Sequence, residues 1–197
     1  SDTKQVKFSQ GNLQYQASTG IWRFAENQYD MVGEENSNIS SSYSGWIDLF
    51  GYGTSGYKKY YPYLTSTSSF DYVTYEVCSS ISGTPYDWGQ NNAISNGGNR
   101  AGIWRTLSQE EWEYLLFTRT NAPSKCGMAN INGVEGIILL PDNWTLPNGL
   151  IFLSFNEADL TTGYRYMADI TMNSYSASEW SKMENNGAVF FPSAGCR

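Results

Sequence analysis

The chain has 197 residues, 19 acidic against 12 basic, and a net charge of −7, which argues against a nucleic-acid backbone as partner. Only 16% of residues are charged, while tyrosine, serine, asparagine and glycine are abundant, a balance that suits a β-rich, loop-rich extracellular domain better than a cytosolic enzyme. Histidine is absent, which removes Ser-His-Asp and Cys-His catalysis, the two-His-one-carboxylate iron site and His-containing catalytic zinc sites.

In chain order, residues 6–24 read as a hairpin. Val6 and Phe8, then Leu13, Tyr15 and Ala17, alternate with polar neighbours; Ser18-Thr19-Gly20 supplies a turn, and Trp22 and Phe24 resume the alternation. Period-two burial makes these aromatics core residues. From Tyr29 to Gly56 the chain is rich in Asn, Ser and Gly, with an apolar island at Trp46, Ile47, Leu49 and Phe50 that should pin loops to the core. Asn36, Asn38 and Asp48 offer oxygens to calcium, but without the spacing of a calcium loop, so no metal ligands are assigned.

Residues 57–77 are tyrosine-rich: Tyr57, Tyr60, Tyr61 and Tyr63, then Tyr72 and Tyr75, among serines and threonines. Tyrosine and serine are the chemistry of adaptable binding surfaces, since tyrosine brings rigid amphipathic area at small entropic cost. The competing expectation is a twisted hairpin over residues 72–77 with half-buried tyrosines. Asp87-Trp88-Gly89 opens a Gly/Asn-rich loop through Asn99 that has neither the Walker lysine nor dinucleotide spacing. Trp88 joins the tyrosines as a candidate contact.

Ser108-x-x-Glu111 predicts a capped helix, with Leu107, Trp112, Leu115 and Leu116 along one side. Asn132-Gly133 is a hairpin turn, and Ile137 to Leu140 a buried strand stopped by Pro141. Residues 145–175 read as irregular, anchored by Phe152, Phe155 and Tyr164. Ser176-x-x-Glu179 predicts a second capped helix carrying Trp180 and Met183 and ending at Gly187; a strand at Ala188 to Phe191 stops at Pro192. Cys78, Cys126 and Cys196 form no close pair, and nothing basic in the sequence is placed to activate them. No run approaches the ~18 apolar residues of a membrane span.

Arg105-Thr106-Leu107-Ser108-x-x-Glu111-Trp112-Glu113-Tyr114 resembles the R-L-P-T-E-x-E-W-E-Y signature of the formylglycine-generating (sulfatase-modifying) family. Ala188-Val189-Phe190-Phe191-Pro192-Ser193-Ala194-Gly195-Cys196-Arg197 resembles the V-F-L-P-A-A-G-Y-R segment of related Bacteroidales surface proteins. Phe8-Ser9-x-Gly11-Asn12-Leu13-Gln14-Tyr15 and the Asp87 to Gly98 loop look like the same group. The resemblance implies an α+β, C-type-lectin-like fold: twisted antiparallel sheets, two short helices and long loops, in one domain over 1–197. Relatives continue past the position of Arg197 through a Tyr-Trp-Ser-Ser type segment, so the resemblance implies that the last strands of the fold are missing here, supplied by a partner, or replaced from elsewhere in this chain.

Several departures bear on chemistry. Leu107-Ser108 stands where the enzyme-like relatives have Leu-Pro-Thr, and Cys196 where a tyrosine is usual. The family's late cysteine pair does not map onto this chain, and the histidines of its iron-dependent relatives are absent. Fold analogy outlives these losses and catalytic analogy does not. The expectation is therefore a non-catalytic, cofactor-free module, extracellular or at the outer-membrane surface, that presents Tyr57, Tyr60, Tyr61, Tyr63, Tyr72, Tyr75 and Trp88 to a glycan or surface protein. The alternatives are a structural module of a surface or fimbrial assembly and, further off, a cysteine-dependent formylglycine-generating-type enzyme. Oligomeric state is left open.

Overall fold

Alternation along Leu13–Gln16 (β1) and Ile21–Phe24 (β2) closes an antiparallel hairpin in which Tyr15 faces Trp22 and Leu13 faces Phe24. Gly20, at φ 69°, takes the left-handed corner of the turn, where a Cβ would be strained. Val6 to Phe8, expected in the first strand, lie in no strand. The computed structural model describes residues 5–38, 40–64, 80–155 and 173–194. The chain divides into two compact units, one of residues 1–109 with 194–197 and one of residues 110–193. Within the described residues the architecture is mixed α+β, with a two-stranded and a four-stranded sheet and short helices. No helix among them is long and apolar enough to cross a membrane.

The first unit is built on aromatic rings. Tyr15, Trp22 and Phe24 are buried with Ile47 and Ile94, and Phe50, Tyr63, Trp88 and Trp104 pack around them. Ile47 exchanges both backbone hydrogen bonds with Tyr15 (2.8 and 2.9 Å), so the apolar island adds one bridge to the hairpin. Asn36 and Asp48 cross-link the preceding loop: the Asn36 amide donates to the Asp48 carboxylate at 2.8 Å, and its oxygen accepts from the Asp48 and Leu49 amides. The Asp48 carboxylate accepts a further bond from Val32 N–H at 2.9 Å. The oxygens singled out for calcium thus pin the turn Gly33–Ser37 to the core.

Two short helices follow in the chain. Trp88–Asn91 (α1) is a single helical turn inside the stretch read as loop. Gln109–Glu113 (α2) begins directly after Ser108, as the capping pattern predicts. Beyond it Tyr114–Thr118 widens into a π-helical turn, closed by Arg119 N–H on the Tyr114 carbonyl at 3.0 Å.

The second unit holds Cys126–Ile131 (β3), Val134–Leu139 (β4), Ser174–Tyr175 (β5), Ala177–Asn185 (α3) and Val189–Pro192 (β6). The sheet order is β5-β3-β4-β6. Asn132 and Gly133, both at positive φ, make the tight turn between β3 and β4, in the backbone twist that suits a two-residue hairpin. β6 pairs antiparallel with β4, whereas β5 runs parallel to β3, so the sheet is mixed where an antiparallel one was expected. The parallel join is made by Asn130 N–H on the Asn173 carbonyl (2.8 Å) and Asn132 N–H on the Tyr175 carbonyl (2.9 Å), and one side chain reinforces it. Asn173, buried, donates to the carbonyls of Met128 and Leu153 (both 2.7 Å) and accepts from Leu153 N–H at 2.8 Å.

Helix α3 is capped as its sequence foretells. The Ser176 hydroxyl accepts from Glu179 N–H, and the Glu179 carboxylate takes the Ser176 N–H at 2.9 Å. That carboxyl is held below its ordinary value by its bonds to Ser176. Trp180 and Met183, one turn apart, are fully buried, and the Trp180 ring meets Phe190 of β6 edge-on at 5.9 Å. Burying a tryptophan there contributes a few kcal/mol, roughly what its truncation would remove.

Candidate functional site

The aromatic residues singled out in the sequence separate into two groups. Tyr57 and Tyr61 are exposed, at 38% and 36%. Tyr60, Tyr63 and Trp88 are half-buried, the last two against the ring core. Tyr72 and Tyr75 lie outside the described residues, as do Cys78, Cys196, Tyr164 and the hairpin expected over 72–77.

Tyr57–Lys59 is a 3-10 turn entered through Gly56 at φ 91°. Lys58 and Lys59 follow at φ 51° and 70°, two consecutive non-glycine residues in the left-handed region. Each such residue costs on the order of 1 kcal/mol, so the conformation persists only because its surroundings hold it. The hold is visible. Gly56 N–H bonds the Tyr60 carbonyl at 2.8 Å, and the Ser55 hydroxyl donates to the Pro85 carbonyl at 2.7 Å. The side-chain amides of Asn91 and Asn92 both reach the Ser55 carbonyl, at 3.2 and 2.8 Å. Ser55 and Thr54 are themselves buried.

Rings complete the support. Tyr86 receives Tyr57 edge-on at 5.0 Å and Tyr60 at 6.3 Å. Tyr61 stacks on Tyr63 at 5.4 Å with 7° between planes, and Tyr63 lies 6.4 Å from Tyr15, itself 4.6 Å from Trp22. Phe50 continues the series to Trp88, at 5.3 Å from Trp22 and 5.9 Å from Trp88. Exposed Tyr61 is therefore the outer end of a column of rings that runs into the core. Each such pair adds about 0.5–1.5 kcal/mol beyond its buried area, which stiffens the display. Burial pushes the Tyr15 and Tyr63 hydroxyls above the usual phenol range, and the neighbouring Tyr61 adds to it. Those two phenols stay neutral at physiological pH.

Beneath the turn sits Asp87, fully buried at 0% exposure. Its Oδ2 accepts from Gly83 N–H (3.1 Å), Thr106 N–H (2.9 Å) and the Thr106 hydroxyl (3.0 Å); its Oδ1 accepts from Gly89 N–H (3.2 Å) as the cap of α1. One carboxylate thus fixes both ends of the Pro85–Trp88 segment on which Tyr57 and Tyr60 rest. Gly89 admits no side chain, because a Cβ there would lie 2.6 Å from the Trp104 carbonyl. Asp87, Ser55 and Tyr86 escaped the reading from sequence. The available signal was Asp87 directly before a Trp-Gly turn, a cap-type residue in cap position.

The site offers flat apolar faces, neutral hydroxyls and two ammonium groups. Among the described residues no three of His, Cys, Asp and Glu gather as a metal site. Cys126 is buried and unpaired with another cysteine; burial pushes its thiol up, and the Arg119 guanidinium pulls it part of the way back. Set against known proteins, the chain matches no family model, no curated protein and no solved structure.

Proposed function

We propose that this chain is a non-catalytic binding module of the cell exterior, with a C-type-lectin-like scaffold of the kind its Arg105 to Tyr114 segment resembles. It presents the tyrosine turn to a glycan or a surface protein. The observation that carries the reading is the rigidity of the turn: two exposed tyrosines on a backbone held in a costly conformation by buried hydrogen bonds and a column of rings. Rigid aromatics lose little entropy on binding, so such a surface is prepared in advance for a flat, partly apolar partner. Sugar rings, whose C–H faces stack on phenols, fit that description. The carboxylate at the centre of the unit, Asp87, is engaged by four donors and serves as a clamp in this reading.

A screen of the purified chain against a glycan array and a panel of surface proteins tests this. Binding is expected, and Tyr57→Ala with Tyr61→Ala should abolish it while leaving the melting temperature within a few degrees. Absence of any ligand, or binding indifferent to both substitutions, would overturn the proposal.

A further inference from the structure

Four asparagine–glycine pairs stand in the chain: Asn96-Gly97, Asn132-Gly133, Asn148-Gly149 and Asn186-Gly187. Such a pair carries its own chemistry. With no Cβ to shield it, the glycine amide nitrogen can attack the carbonyl carbon of the asparagine side chain and close a five-membered imide. The fold decides where this happens, because the nitrogen must give up its hydrogen and the side-chain amide must swing free of its partners.

Three of the pairs are held. The Asn96 side chain accepts from Phe24 N–H at 2.7 Å and donates to the Phe24 carbonyl at 2.9 Å, while Gly97 N–H bonds the Ile94 carbonyl at 2.9 Å. Gly133 N–H bonds Asn130 Oδ1 at 2.9 Å. Asn186 Nδ2 donates to the Thr145 carbonyl at 3.0 Å, and Gly187 N–H to the Glu184 carbonyl at 2.8 Å.

The fourth pair is free. Residues 147–150 form a turn closed by Leu150 N–H on the Pro147 carbonyl at 3.2 Å, with Gly149 at φ 82°. That closure uses the N–H after the pair. Among the described residues, neither Gly149 N–H nor the Asn148 side chain has a hydrogen-bond partner. Both residues are exposed, but so are Asn132 and Asn186, so it is the missing bonds and not access to water that set Asn148 apart.

We infer that Asn148-Gly149 is a self-modifying site, where the folded chain converts its own asparagine to aspartate and isoaspartate with water as co-reactant. Hydroxide takes the Gly149 amide proton and the nitrogen attacks Asn148 Cγ. The bond from Cγ to the side-chain nitrogen breaks, and ammonia leaves after taking a proton from solvent. Water then opens the imide at either carbonyl. Cleavage at the side-chain carbonyl restores the normal main chain as aspartate; cleavage at the main-chain carbonyl leaves isoaspartate, one methylene longer through the turn. Either product adds a negative charge to a chain already at −7.

The test incubates the intact chain below its melting temperature in neutral and mildly alkaline buffer. The protein is then digested, and fragment masses assign each amide-to-acid exchange to its residue. Asn148 is expected to convert about tenfold faster than the other three, the factor of one hydrogen bond that they must break first. Its rate should rise in the alkaline buffer. Asn148→Gln, which would have to close a six-membered ring, should abolish this early change and leave the melting temperature where it was. Asn130→Ala frees Gly133 N–H and should bring Asn132 up toward the rate of Asn148, which serves as the internal reference. In urea all four pairs should converge. An Asn148 that stays an amide while another pair converts, or four pairs that convert alike in the folded chain, would overturn the assignment. The same order of rates persisting in urea would overturn it too, by tracing the preference to sequence and not to the fold.

Discussion

Replacing Asp87 by alanine should damage stability and site together. The carboxylate accepts four hydrogen bonds in a fully buried position, three at Oδ2 and one at Oδ1. Alanine strands the N–H groups of Gly83, Gly89 and Thr106 away from water. Each buried unsatisfied donor costs about 1–3 kcal/mol, and allowing for partial relaxation the loss should be about 4 kcal/mol. Asparagine tells the rest. Its single oxygen can serve the three donors at the Oδ2 position, but its NH2 then faces Gly89 N–H, so the loss should be about half as large. For a chain of this size, about 4 kcal/mol lowers the melting temperature by on the order of 10 °C. Urea denaturation of wild type, D87N and D87A, followed by tryptophan fluorescence, gives the order directly. The loosened Pro85–Trp88 segment should also cost the alanine variant its ligand at temperatures where it is still folded. A D87A protein as stable as wild type, or less perturbed than D87N, would refute the clamp.

Arg119 is buried, its side chain 3% exposed; Nη1 donates to the Leu140 carbonyl at 2.8 Å and reaches Asp142 at 3.3 Å, while Nε and Nη2 are buried without partners. A buried cation so poorly compensated is a burden, and Arg119→Met should be neutral or stabilising by about 1–2 kcal/mol in urea. A loss above about 3 kcal/mol would show that the guanidinium is needed. The same variant should alkylate at Cys126 more slowly, since the pull that opposes burial is gone. Tyr175, whose hydroxyl donates to the Ile151 carbonyl, has its pKa raised to about 12, first by burial and then by Glu179. A phenol that ionises later in the folded than in the unfolded chain gives stability present in full below pH about 10 and lost between there and about 12. The denaturation midpoint should fall more steeply over that window in wild type than in Tyr175→Phe; parallel curves would contradict the assignment.

Much of this was legible in the sequence because local chemistry had one solution. Ser176 and Glu179 cap α3, Asn132-Gly133 turns β3 into β4, and the period-two aromatics Tyr15, Trp22 and Phe24 are core. The capping pattern at Ser108 placed the start of α2 but not the π-helical turn after it, where no residue type marks a change from four-residue to five-residue bonding. What stayed hidden was long-range. Nothing local connects Thr106 to Asp87, or Asn173 to Met128, 19 and 45 residues apart. Within the candidate site, composition marked the tyrosines, yet only packing separates exposed Tyr57 and Tyr61 from Tyr63 and Trp88. The calcium-like oxygens of Asn36 and Asp48 show the same limit, because an acceptor reads alike whether an N–H or an ion will take it.

The Asn173 clasp has a consequence for how such a chain can drift. A strand normally constrains every second residue through alternation, whereas here one amide reads the carbonyls of Met128 and Leu153 and the N–H of Leu153. Residues 151–155, with Ile151 at 69% exposure, owe their place to this clasp, to the Tyr175 hydroxyl on the Ile151 carbonyl and to Phe155 N–H on the Cys126 carbonyl at 2.8 Å, and not to an alternation of their own. Side chains of that run that only meet solvent, such as Ile151, are thus free to change while the backbone bonds keep the segment on β3, whereas a change at Asn173 would release three of those bonds at once.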